Sequence, residues 1–232
     1  MLSSLSCESR TAAVMQPYFY PYAGYFRLLM AADVVVILED VQFPRRGWVH
    51  RCQVPGPAGA LEWLTLPLAR QPRDTLIRDL AFADGARREL DRRLARLKWL
   101  ERARGPLADR VRAHLHGPLH SVVGFLEGGL RLVANALDLP ASIVRSSMLD
   151  VDGALRGQDR ILALVEAVEA RLYVNPPGGR SLYQAEGFRR RGCTLRFLTP
   201  YSGAIRCLLP ALVQDDPATL RSDILRTTRL VE

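Results

Sequence analysis

The sequence predicts an α/β fold built on a mostly parallel, Rossmann-like sheet. Residues 11–38 read as strand, loop, helix and strand, an alternation that within about 30 residues indicates a βαβ unit. The run VVVIL at residues 34–38 is apolar and largely β-branched, which is typical of a strand buried on both faces. The same alternation returns between residues 142 and 200. We therefore expect parallel strands joined by right-handed crossovers.

The first half of the chain contains two departures from this alternation. Residues 47–68 are predicted to form a β-hairpin, because two alternating apolar runs flank the Pro/Gly-rich turn PGPAGA. Residues 76–82 have the pattern of a further strand. Residues 85–137 are predicted to be a helical insertion, divided at Gly105-Pro106 and Gly117-Pro118.

The C-terminal third is predicted to complete the sheet. A strand is expected at residues 142–147, a helix at 161–170 followed at once by a short strand, a second helix from about Ser181, and a last strand at 193–200. No repeat or linker interrupts the chain, so we predict a single α/β domain over residues 1–232 that carries the hairpin and the helical insertion.

Composition narrows the class of protein. With 232 residues, 48% of them hydrophobic and only 4 cysteines, the chain fits a globular protein and not a disulfide scaffold. No apolar run reaches the roughly 18 residues of a membrane span, and the N-terminus lacks a secretory pattern. We expect a cytoplasmic protein that uses no membrane, no bound metal and no cofactor, since the cysteine and histidine spacings match no metal motif.

The net charge of +8 comes almost wholly from arginines spread along the chain. They are densest in residues 87–110, where they alternate with leucines at helical spacing. This pattern predicts an amphipathic helix with a solvated face and gives no support for nucleic-acid binding. The alternative is a docking surface for an acidic partner.

Three loops are candidates for a functional site, because ligands of open parallel sheets bind beyond the carboxyl ends of the strands. The first loop follows the first strand. Gln16 offers a donor and an acceptor there, and aromatic rings such as those of Tyr18 and Tyr25 can stack on a ligand. The alternative is an aromatic loop that packs on the core.

The second loop follows the second strand. Asp40 stands where the buried apolar run turns acidic, which makes it a candidate general base. Arg45, Arg46 and Arg51 are candidates to clamp a phosphate or carboxylate. Alternatively, Asp40 caps the loop and the arginines are solvated. His50 beside Cys52 raises thiol catalysis as a weaker hypothesis.

The third loop is NPPGGRSLY at residues 175–183. Gly178, Gly179 and Arg180 precede a predicted helix start, where backbone N–H groups favour anions, and Tyr183 lies within reach. A plain tight turn is the alternative. The lysine and spacing of a phosphate-binding P-loop are absent.

Several of these segments together resemble the WbqC-like family. The motifs that carry the resemblance are Gln16-Pro17, Gly24-Tyr25-Phe26, Asp40-Val41-Gln42-Phe43, Trp48-Val49-His50-Arg51, Trp63-Leu64-Thr65-Leu66-Pro67 and the 173–183 segment. The chain departs from the family pattern at three positions. His50 and Cys52 replace asparagines, and Arg180 stands where lysine is common.

The resemblance implies a bacterial enzyme of O-antigen or natural-product biosynthesis. It implies transfer of an acyl or aminoacyl group, for instance from a carrier-protein thioester, to a small-molecule amine such as an amino sugar or a nucleotide sugar. In that scheme Asp40 and His50 are catalytic residues and Gln16 orients the amine, while Gln42, Trp48, Arg51 and the 178–180 loop bind substrate. Residues 87–110 would then dock an acidic carrier.

Two other functions remain open at this level. One is a nucleotide-binding, nucleotidyltransferase-like enzyme, which the opening strand–loop–helix loosely resembles. The other is a non-catalytic binding or assembly subunit.

Overall fold

The computed structural model describes residues 10–232. Within that range the chain forms eight strands: β1 Thr11–Met15, β2 Val34–Ile37, β3 Arg51–Pro55, β4 Leu61–Thr65, β5 Ser142–Arg145, β6 Leu172–Asn175, β7 Thr194–Leu198 and β8 Leu230–Val231. It also forms nine α-helices: α1 Ala23–Ala31, α2 Ala86–Leu94, α3 Lys98–Arg102, α4 Pro106–Leu115, α5 Val122–Ala136, α6 Gly157–Ala167, α7 Ala185–Arg190, α8 Leu208–Gln214 and α9 Pro217–Thr227.

Six strands make one sheet in the order β5–β2–β1–β6–β7–β8, parallel except for the β8 edge. The predicted mostly parallel, Rossmann-like sheet is thus confirmed. The strand order reverses at β1, where Ala13 pairs with Val35 of β2 on one side and with Val174 of β6 on the other. The carboxyl ends of β2, β1 and β6 consequently lie side by side.

Alternating strand residues build a core on each face of the sheet. Ala13, Val35 and Val174 face the side covered by α1, α5, α8, α9 and the helical insertion. Ala12 and Val34 face the opposite side, which is covered by α6 and α7. The central strands β1 and β2 are therefore buried between two helical layers, which explains the uninterrupted apolar sequence of β2.

The predicted hairpin and helical insertion both form. β3 and β4 pair antiparallel as a separate two-stranded sheet, and their turn is the Pro/Gly-rich segment 56–60. Residues 85–137 contain α2 to α5. The indole Nε1 of Trp99 in α3 donates to the carbonyl of Pro55 at 2.9 Å, which ties the hairpin to the helices.

The predicted strand at residues 76–82 is wrong. This segment contains a 3₁₀ turn, Ile77–Asp79, and its only strand-like pairings are isolated bridges at its two ends, Gln42 with Leu76 and Leu68 with Phe82. Its partners are loops that follow β2 and β4, so no continuous ladder can form. The segment instead lies against the loop that follows β2.

Two C-terminal boundaries also differ from the prediction. The helix expected from Ser181 is a 3₁₀ turn over Pro177–Leu182 followed by α7. The 193–200 strand is not the last element, because α8, α9 and β8 follow it. The buried guanidinium of Arg27 fixes this end by donating to the carbonyl of Thr227 at 2.8 Å.

Among residues 10–232 no helix combines the length and the apolar character that crossing a bilayer requires.

Candidate functional site

A pocket of about 620 Å³ opens at the carboxyl edge of the parallel sheet, on the α6 side. Its walls come from the end of β2, the loop that enters α6 and the segment after β6. Asp40, Gln42 and Tyr183, predicted on two different loops, line it together with Arg78 and Arg160. The volume lies in the range of small-molecule sites.

Asp40 is held by two partners within this pocket. Its Oδ2 forms an ion pair with Nη2 of Arg160, and both side chains are only 9% exposed. Its Oδ1 accepts a hydrogen bond from Oγ of Ser146 at 2.7 Å. Since a carboxylate offers about four acceptor positions, Asp40 retains capacity for a substrate donor. The carboxylate is therefore fixed in place and still usable.

Arg160 and Ser146 are the residues that sequence reasoning missed. Arg160 lies in the first turn of α6, and its Nη1 also donates to the carbonyl of Asp152 at 2.7 Å. Ser146 directly follows β5, the neighbour of β2, and its Oγ also accepts from the backbone N–H of Glu39 at 3.3 Å. The one available indication was an arginine that directly precedes the apolar run ILALV.

The first candidate loop is a rigid aromatic layer. The rings of Tyr18 and Tyr25 lie 5.5 Å apart, and the Tyr25 hydroxyl donates to the carbonyl of Gln16 at 2.9 Å. Burial raises the pKa of both phenols. Gln16 is half-buried and is not part of the pocket lining around Asp40.

Tyr20 anchors this loop to α4. It has a left-handed backbone, with φ of 40°, and its hydroxyl lies 2.8 Å from Nδ1 of His114. The other ring nitrogen of His114 lies 3.0 Å from the carbonyl of Phe125. Burial lowers the pKa of His114, so the imidazole is neutral near pH 7. The histidine has a structural role here.

Trp48 and Arg51 form an aromatic and cationic stack on the hairpin. The Trp48 and Trp63 rings lie 5.0 Å apart, and the Arg51 guanidinium carbon lies 4.2 Å from the centre of the Trp63 ring. Arg51 also donates to the carbonyls of Gly47 at 3.1 Å and Arg46 at 2.5 Å. Two of its five N–H donors are thus engaged in holding the loop.

His50 lies in a different cavity, of about 400 Å³, beside Thr65. Its Nδ1 is buried with no hydrogen-bond partner in the part of the chain that the structure describes. Burial, and secondarily Arg51, lower its pKa. Burial raises the pKa of the neighbouring Cys52, so the thiol is protonated, and thiolate catalysis gains no support.

The third loop is fixed by its own side chains. Asn175 is buried, accepts from the Tyr173 hydroxyl at 3.1 Å, and places its amide nitrogen where a Cβ on Gly179 would stand. A Cβ added to Gly178 would have no other atom within 4 Å. Tyr183 reaches the Asp40 pocket, whereas the Arg180 guanidinium carbon lies 5.0 Å from the Phe197 ring centre, outside the pocket lining. Tyr183 is therefore the one residue of this loop that lines the Asp40 pocket.

Half of the eight arginines at residues 87–110 form ion pairs with acids. Arg87 pairs with Asp91, and Arg92 and Arg93 share Glu89, at 2.7 to 2.9 Å. These pairs reduce the net field of that surface. No group of three or more His, Cys, Asp or Glu side chains within residues 10–232 has the arrangement of a metal site.

Comparison with known proteins gives the family. The sequence model of the WbqC-like protein family matches residues 16–204. The chain is also 30% identical over 88 residues to Rv1507c of Mycobacterium tuberculosis, which is described as an uncharacterized protein. That match covers 35% of this chain and 38% of the mycobacterial protein. No solved structure matches the chain significantly. Because the family model covers most of the sequence, this chain belongs to the WbqC-like protein family.

Proposed function

We propose that this chain is a transferase that joins an acyl or aminoacyl group to a small-molecule amine bound beside Asp40. One observation carries the proposal: Asp40 and Tyr183 line a single cavity with guanidinium groups at the carboxyl edge of the sheet. A fixed carboxylate suits an amine, and the guanidinium groups suit an anionic group on the same substrate.

The chemistry follows from these groups. The amine nitrogen bonds to the carbonyl carbon of a thioester donor, and the carbon–sulfur bond breaks. The proton leaves the nitrogen for Asp40 and passes from there to the departing sulfur. Arg160 and Ser146 position the carboxylate. An arginine of the pocket wall, Arg78 or Arg156, is placed to bind the substrate's anionic group.

The proposed roles of Arg51 and His50 differ from those expected from the sequence. Arg51 is stacked on Trp63 and does not line the Asp40 pocket, so the proposal gives anion binding to Arg78 and Arg156, which do line it. His50 lines a separate cavity and has no role at Asp40. As the family resemblance implies, we place the reaction in the bacterial cytoplasm, in O-antigen or natural-product biosynthesis, with an acidic carrier protein as one possible donor.

The test is turnover by the purified chain. An aminoacyl thioester of a small thiol is supplied with a panel of amino sugars, and amide formation is followed by mass spectrometry. We expect Asp40→Asn to abolish product. The control Asp138→Asn, whose side chain is 97% exposed and outside the pocket lining, retains it. Wild-type turnover by Asp40→Asn would contradict the proposal, provided that circular dichroism shows both variants folded.

Nucleotide binding is a second candidate, favoured by the reversal of strand order at β1. Such a reversal is a common site for nucleotides in doubly wound sheets. Protection of the chain by ATP or CTP against thermal unfolding would support it. Turnover by the isolated chain would exclude the third candidate, a purely non-catalytic subunit.

A further inference from the structure

A second concave surface continues from the Asp40 pocket. It is a groove of about 880 Å³ formed by residues 42–46 and Arg73, and it shares Gln42 with the pocket. At its other end it shares Phe43 and Arg45 with the cavity beside His50. A ligand longer than the pocket can therefore extend past Gln42 into the groove.

The two walls of the groove are joined by hydrogen bonds. The N–H of Phe43 donates to the carbonyl of Thr75, and the N–H of Ile77 donates to the carbonyl of Val41, each at 2.9 Å. The Gln42 side chain donates to the carbonyl of Arg73 at 2.8 Å. These bonds make the groove a preformed site, so a ligand need not order its walls.

The groove has uncompensated positive charge. Segments 41–46 and 70–78 contain five arginines and one aspartate. Three of these arginines, Arg45, Arg46 and Arg73, line the groove, and none forms an ion pair with a carboxylate of residues 10–232. Arg45 donates instead to the carbonyl of Gln71 at 2.6 Å. This surface differs from the basic helices at residues 87–110, where four of the eight arginines form ion pairs with acids.

We infer that this groove binds a phosphate or diphosphate group of the substrate whose amine lies beside Asp40. Guanidinium groups bind phosphate oxygens in pairs, and three of them in one concavity match a diphosphate better than a single carboxylate. The groove volume also exceeds the needs of one small anion. The position of the amine beside Asp40 rests on the proposed function, whereas the binding of phosphate rests on the groove alone.

Inorganic diphosphate is the probe. Calorimetric titration at constant ionic strength measures its affinity for the wild-type chain, for Arg46→Gln/Arg73→Gln and for the control Arg88→Gln/Arg102→Gln. The control removes the same charge from exposed arginines on α2 and α3 that form no ion pair within residues 10–232. We expect at least a tenfold loss of affinity in the groove variant and less than a twofold change in the control.

Two results would overturn the inference: no diphosphate binding by the wild-type chain, or equal weakening in both double variants. Asp40→Asn should bind diphosphate with wild-type affinity, because Asp40 does not line the groove. Loss of turnover in that variant with binding intact supports both proposals. If the wild-type chain does not bind diphosphate but does turn over an amine without phosphate, the groove inference is refuted and the proposed function stands.

Discussion

Removing one member of the Asp40–Arg160 pair should destabilise the chain strongly. Each side chain is 9% exposed, so Asp40→Asn leaves a guanidinium buried without its carboxylate. Such losses reach about 3 to 5 kcal/mol. We expect about 3 kcal/mol, the low end, because Arg160 keeps its bond to the carbonyl of Asp152 and an asparagine can still accept from Ser146.

Urea denaturation followed by circular dichroism measures this loss, and thermal unfolding should show a Tm lower by about 6 to 12 °C for a chain of this size. The double variant Asp40→Asn/Arg160→Met removes the orphaned charge. It should therefore be more stable than the sum of the single losses by about 1 to 3 kcal/mol.

A matched control uses an exposed pair. Glu186 contacts Arg189 at 2.8 Å with both side chains more than half exposed, so Glu186→Gln should change stability by less than about 0.5 kcal/mol. If Asp40→Asn behaves like this control, or if the losses at Asp40 and Arg160 are simply additive, the two side chains are not coupled as the structure indicates. The reasoning about a fixed carboxylate would then fail.

Three further outcomes are expected. Gly179→Ala should lower the free energy of unfolding by about 1 to 3 kcal/mol, measured by urea denaturation, because the Asn175 amide occupies the position of the added Cβ. Gly178→Ala should be neutral or slightly stabilising, and similar losses in the two variants would refute the packing argument. The partly buried, neutral His114 has a lowered pKa, so its contribution to stability is complete above its unfolded value of about 6.5 and is lost as the pH falls towards the folded-state value. His114→Gln should flatten that slope of unfolding free energy against pH, and an unchanged slope would contradict the assignment. The Cys52 thiol, whose pKa is raised by burial, should not react with an aromatic disulfide reagent until the chain unfolds; rapid labelling of the native chain would contradict this.

The sequence was sufficient to place the carboxyl ends of β1 and β2 together. The β-branched run of β2 is read directly as a buried strand, and a βαβ unit brings the ends of its two strands to one edge. That argument correctly located Asp40 at the edge of the sheet. It applied less well to Gln16, because knowing which strand a residue follows does not give the direction of its side chain.

The partners of Asp40 were not predictable from one sequence. Ser146 reaches Asp40 only because β5 lies beside β2, and strand order depends on packing between segments about a hundred residues apart. Arg160 required the further knowledge that α6 crosses to the opposite face of the sheet. The strand predicted at 76–82 failed for a related reason, since a strand needs a partner ladder that only the folded chain supplies.

The contacts in the structure show that some of the family motifs support the fold, whereas others line the candidate site. Trp63 contacts the Trp48 ring and the Arg51 guanidinium, and Arg51 binds the loop before β3, so the spacing of these residues in the sequence reflects packing of the hairpin. Asp40 and Gln42 come from the same stretch, yet they line the pocket and, for Gln42, the groove. A substrate placed here would contact the family motifs at the Asp40–Phe43 segment and at Tyr183 of the 173–183 segment. Its remaining contacts would come from α6 and from the segment around Arg73. Selectivity between substrates is therefore expected to depend on residues outside the densest motif, which is why the motif identifies the family without identifying the substrate.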